Sequence, residues 1–72
     1  MRSCNIRNDI RKLRFLNKEM TQQELADRIG VSRQTVLAIE AGKYSPTLEL
    51  AFRIAAVFGL PLDEVFQYDS QK

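Results

Sequence analysis

Histidine and tryptophan are absent from this chain, and cysteine occurs once, at Cys4. A lone cysteine excludes an intrachain disulfide and any cysteine-rich metal site, so Cys4 reads as a small apolar residue near the N-terminus. Without histidine the chain lacks the commonest proton shuttle, and it holds no Gly-rich phosphate loop. No nucleophile–base pair and no metal set can be assembled from what is left, so neither an enzyme nor a cofactor site is expected. Asp63 and Glu64 are adjacent acids, but they fall where a short helix takes acids in its first turn. Long apolar runs are also missing. No stretch approaches a membrane span and no signal-peptide core is visible, which predicts a cytoplasmic protein without a membrane partner.

What is present is one compact amount of chain. Seventy-two residues at 44% apolar content suit a single domain over residues 1–72. A core of this size is marginal alone, so oligomerisation is a natural supplement. The formal charge is only +2, but it is unevenly spread. Residues 1–43 carry nine Lys or Arg against five acids, whereas residues 44–72 carry two against four.

The basic part contains the most informative segment, TQQELADRIGVSRQTVLAIEAG, from Thr21 to Gly42. Thr21 and Glu24 have the spacing of a capping box, and Met20 with Leu25 that of a hydrophobic staple. Gly30 marks the end of a helix, where the chain turns left-handed most easily. Ser32 caps a further helix, and Val31 with Val36 repeats the staple. Leu25, Ala26 and Ile29 form an apolar stripe on one helix, and Val36 and Ile39 form one on the next. Ala26 leaves room for a close crossing. Two helices joined by so short a Gly-containing turn are a helix-turn-helix. With Val36 and Ile39 inward, Arg33, Gln34, Leu37 and Ala38 turn outward.

The remaining chain reads as helix with polar connectors. Ile6, Ile10 and Leu13 lie at i, i+4, i+7 and predict a first helix from Asn5 to about Asn17. Gly42 to Pro46 is a loop. Thr47 caps a fourth helix with Leu48, Ala51, Ile54, Ala55 and Phe58 on its apolar face, closed by Gly59. Pro61 opens a short fifth helix that has no side-chain cap. Phe66 to Ser70 alternates apolar and polar as a strand would, and Met1 to Cys4 is a further extended candidate.

The outward face of the third helix carries chemistry. Arg and Gln make bidentate hydrogen bonds to guanine and adenine edges, and a lone helix fits the major groove of duplex DNA. Arg33 and Gln34 stand at the N-terminal end of that helix, the end that enters the groove in this motif. The basic half of the chain is the half that would face phosphates.

Residues 6–66 resemble the XRE or Cro/λ-repressor-like helix-turn-helix family through TQQELADRIGVSRQTV, IEAGKYSPTLELAFRIA and LPLDEVF. The tails, ending FQYDSQK, make the chain most similar to small dimeric cytolysin-repressor-type regulators. The resemblance implies an all-α, five-helix λ-repressor-like domain with a helical core over residues 5–66. It also implies that the tails, 1–4 and 67–72, pair as a two-stranded antiparallel sheet. By the same resemblance Arg33, Gln34 and Ala38 match base-reading positions, with Leu37 placed for thymine-methyl contact. Gln22, Ser32, Thr35, Lys43 and Tyr44 match positions at DNA phosphates. Arg14 and Glu40 resemble a structural ion pair between the first and third helices. The stretch from Arg14 to Thr21 is one residue longer than the family's, so a shifted register would bring Arg11 or Lys12 to Glu40 instead.

The resulting expectation is a nucleoid-associated transcriptional regulator that binds double-stranded DNA. In this reading a homodimeric repressor reads an inverted repeat through its third helix, with no small-molecule effector. A DNA-binding antitoxin or restriction-controller protein would use the same fold and chemistry. A helical protein-interaction module without DNA binding is the alternative of another class, and it would show no salt-dependent affinity for any duplex.

Overall fold

The computed structural model describes residues 6–68. The elements run β1 (Ile6–Asn8), α1 (Ile10–Leu16), α2 (Gln22–Ile29), α3 (Arg33–Glu40), α4 (Leu48–Phe58), α5 (Leu62–Val65) and β2 (Phe66–Tyr68). Five helices therefore stand beside a two-stranded antiparallel sheet, in which Ile6 pairs with Tyr68, Arg7 with Gln67 and Asn8 with Phe66.

Local chemistry sets most helix boundaries. Thr21 Oγ1 accepts the Glu24 N–H at 3.0 Å, and the Thr21 N–H donates to Glu24 Oε1 at 2.8 Å, completing the capping box. Ser32 Oγ accepts the Thr35 N–H at 3.2 Å, and Thr47 Oγ1 accepts that of Leu50 at 3.1 Å. Gly30 leaves α2 at φ 77°, and the next N–H, of Val31, turns back to the Ala26 carbonyl at 3.0 Å. That bond closes the turn within one residue of the helix end and aims α3 across α2. Arg53 on α4 adds a tertiary cap, donating through Nη1 to the Ile29 carbonyl at 3.2 Å.

The core takes residues from every helix: Ile10, Met20, Leu25, Ala26, Ile29, Val36, Ile39, Leu50, Ile54, Ala55 and Val65 are all buried. Ala26 is fully enclosed, consistent with a close crossing of α2 and α3. Each fully buried Leu, Ile or Val contributes about 1.5–3 kcal/mol.

Two expectations are corrected. The first helix does not begin at Asn5. Residues Ile6–Asn8 form a strand and α1 starts at Ile10. The cause is double. Pairing with β2 keeps Ile6–Asn8 extended, and Asn8 Oδ1 then accepts the Ile10 N–H at 3.1 Å, which marks the start of the helix. Both strands accordingly lie inside the expected 5–66 helical core or overlap its end, not wholly in the tails. The extended candidate Met1 to Cys4 falls outside the described residues, as do the last residues of the strand signal. The second correction concerns α4, where Leu50, 9% exposed, takes the core position, while Leu48 is 66% exposed. Thr47-Leu48-Glu49-Leu50 offers two leucines two apart, and only one can share a face with Ala51, Ile54 and Ala55.

Between α1 and α2 the chain passes through Lys18 at φ 56° and Glu19 at φ 54°. Consecutive non-Gly residues in the left-handed region are strained, by about 1–2 kcal/mol per residue. Lys18→Gly should therefore raise the unfolding free energy by about 1 kcal/mol in urea titration. A loss of stability would show that the turn is unstrained.

Candidate nucleic-acid interface

One carboxylate organises the side of the molecule on which α1, α2 and α3 meet. Glu40, at the end of α3, receives Arg14 Nε on Oε2 at 2.7 Å and Arg14 Nη2 on Oε1 at 3.2 Å. Gln22 Nε2 donates to the same Oε1 at 3.1 Å. Arg14 also donates through Nη1 to the Met20 carbonyl at 2.8 Å, immediately before the α2 cap. The forked pair is largely shielded, with side-chain exposures of 14% and 9%. Arg14, and neither Arg11 nor Lys12, meets Glu40, and the connector from α1 to α2 passes through the left-handed residues Lys18 and Glu19.

The α3 helix presents its residues in three zones, set by a rotation of about 100° per residue. Val36 and Ile39 are buried against the core. Gln34 and Leu37 point furthest out, and both are exposed. Arg33 and Glu40 share one edge, bordering an open cleft whose other wall is α1. Thr35 and Ala38 share the opposite edge, half-buried, where with Ser32, Gln34 and Tyr44 they line a second, smaller hollow.

Several other site residues are placed by this frame. Ser32 Oγ serves the α3 cap and lies 3.1 Å from the Thr35 hydroxyl. Lys43 and Tyr44 are exposed in the loop after α3, which turns through Gly42. Among the described residues, the side chains of Arg33, Gln34 and Lys43 have no hydrogen-bond or ion-pair partner. They are free to take one from outside. Gln22 is half-buried and tethered to Glu40, so it stands at the first turn of α2 with its direction already set.

Sequence reasoning missed two contributors. Asn8 donates through Nδ2 to the Ile39 carbonyl at 2.9 Å, fixing β1 against the last turn of α3. Its signal, an Asn two residues ahead of a buried Ile, was hidden by the apparent helical period of Ile6, Ile10 and Leu13. The Gln22–Glu40 bond was also missed, because nothing local marks two polar residues 18 apart as partners.

The exposed Arg33–Gln34 pair stands on a helix flanked by two open hollows, an outward-facing feature unlike an enclosing small-molecule pocket. No helix among the described residues is long and apolar enough to cross a membrane.

Comparisons with known proteins bear on the family and the fold. A helix-turn-helix family model matches residues 10–65. An HTH-type transcriptional regulator of Methanocaldococcus jannaschii is 45% identical over 67 residues, covering 93% of this chain and all of the relative. The phage CTXphi transcriptional repressor RstR of Vibrio cholerae is 41% identical over 56 residues, covering 78% of this chain but half of RstR. Among solved structures, a Bacteroides fragilis protein superposes with TM-score 0.74 at 21% identity, over 86% of this chain and 98% of its own, a likeness of fold alone. A hypothetical transcription factor from Neisseria gives TM-score 0.67 at 31% identity, over 76% of this chain and 62% of its own.

Removing either partner of the shielded ion pair should cost about 3–5 kcal/mol, because the other charge is left uncompensated. Glu40→Ala and Arg14→Ala measured by chemical denaturation test this, and the double change Arg14→Met with Glu40→Leu should recover most of the loss. Single variants losing under about 1 kcal/mol would place the pair among ordinary surface bridges.

Proposed function

The chain belongs to the helix-turn-helix family of DNA-binding transcriptional regulators, and we propose that it is a homodimeric repressor reading an inverted-repeat operator through α3. The observation that carries the reading is the outer arc of α3, where Arg33 and Gln34 are exposed and unpaired among the described residues. In the major groove these two make the hydrogen bonds to base edges, while Leu37 and Ala38 contact thymine methyl groups or DNA shape. Gln22, Ser32, Thr35, Lys43 and Tyr44 hold phosphates and fix the register.

The repressor role draws support from the name of the related phage protein RstR. Dimerisation draws support from a separate apolar surface. Leu48 and Phe52, one turn apart on α4, are exposed, as is Tyr68 on β2. Ile6, Leu62 and Phe66 line adjoining hollows between the sheet and the helices. Apolar surface of this extent on so small a domain is what association covers. Two-fold symmetry then sets half-sites about 34 Å apart, one helical turn of DNA. Such a protein works in the cytoplasm, on the nucleoid, and its occupancy follows its own concentration without a small-molecule effector.

Selection of bound duplexes from a random library at two salt concentrations tests the whole reading, with an inverted repeat as the expected result. Arg33→Ala should lose about 1–3 kcal/mol on the selected site and relax preference at one position. Lys43→Ala should weaken all duplexes alike and flatten the salt slope. Equal weakening of every sequence by Arg33→Ala would sink the assignment of Arg33 to base reading. A protein that sediments as a monomer at high micromolar concentration and on DNA would sink the dimer.

A further inference from the structure

A helix lying in the major groove has a sugar–phosphate strand along each of its two edges. The two edges of α3 differ. At Thr35 and Ala38 the hollow is small, about 250 Å3, and bounded by Ser32 and Tyr44. At Arg33 the cleft is about 930 Å3 and reaches across to α1, whose Arg11, Lys12 and Phe15 line its far wall. The roll of α1 explains the placement: Ile10 is buried and Leu13 packs on the core, so Arg11 and Lys12 must turn away from it. Both are exposed, and neither side chain has an ion-pair or hydrogen-bond partner among the described residues. Arg14, the third cation of α1, is already engaged by Glu40 and the Met20 carbonyl. Asp9 and Glu19 border the same cleft and oppose the cations there.

We propose that Arg11 and Lys12 hold the phosphodiester strand that flanks the Arg33 edge of α3. They form a group of phosphate contacts outside the helix-turn-helix, complementing Gln22 across the cleft. The proposal rests on the DNA reading above. It explains why two unpaired cations face a cleft that also contains Arg33, where a purely structural first helix needs neither.

The test is the salt dependence of binding to the duplex selected by the wild-type protein, and to a random duplex of equal length. Each lost phosphate contact lowers the slope of log K against log salt by about 0.9. Arg11→Ala with Lys12→Ala should therefore flatten the slope by about 1.8 on both duplexes while leaving base preference unchanged. Glu19→Gln, which removes an opposing charge, should tighten both complexes. Arg28→Ala, on α2 and away from the cleft, should leave the slope unchanged. All of these residues are exposed, and melting curves verify that the variants fold. An unchanged slope in the double variant overturns the proposal, as does an equal change in Arg28→Ala or an altered base preference. A wild-type protein that binds no duplex at any salt overturns the DNA reading, and this proposal with it.

Discussion

The Glu40 carboxylate is the point on which the arrangement of the first three helices depends. Its two oxygens receive a forked arginine from α1 and an amide from α2, while the same arginine grips the carbonyl that precedes the α2 cap. Together with the apolar core that Ile10, Leu25, Ala26, Ile29, Val36 and Ile39 share, these bonds tie the three helices to one another. Such a polar hub adds little net stability, since desolvation opposes the attraction. What it supplies is geometry. The start of α2 and the first residue of α3 border one cleft, and their relative position is set by hydrogen bonds of defined length.

The opposite side is organised by apolar burial. Ile54 and Val65 are fully enclosed, and α4 and α5 form the floor on which the helix-turn-helix rests. The division suits the proposed function. Close packing below resists deformation, whereas the upper face keeps exposed cations and amides available. The small sheet joins the two sides, because Asn8 of β1 reaches the Ile39 carbonyl in α3 and the Asp9 N–H donates to the Val65 carbonyl at 3.0 Å.

The parts legible in the sequence are those whose causes lie within a few residues. Thr21 and Glu24 satisfy each other three positions apart, and Ser32, Thr47, Gly30 and Gly59 act on neighbouring backbone. The outward position of Arg33 and Gln34 followed from Val36 and Ile39 alone. The start of α1 was misread because its determinant is a pairing of Asn8 with Phe66, distant in sequence, while Ile6 happened to fit a helical period. Leu48 was misplaced because two leucines competed for one core position, and only the packed phase of α4 decides between them. Arg14 and Glu40 are 26 residues apart; only family resemblance suggested the pair, and it left the register open.

The left-handed pair at Lys18 and Glu19 has a consequence for where strain sits in this fold. The ion pair fixes one end of the α1–α2 connector at Arg14, and the α2 cap fixes the other at Thr21. The backbone between these anchors accepts an unfavourable conformation so that both can hold, and the strain is confined to Lys18 and Glu19. The connector is thus a strained link between two bolted points: the cost of its shape falls on two exposed residues, and the placement of α1 against α2 is left to the anchors.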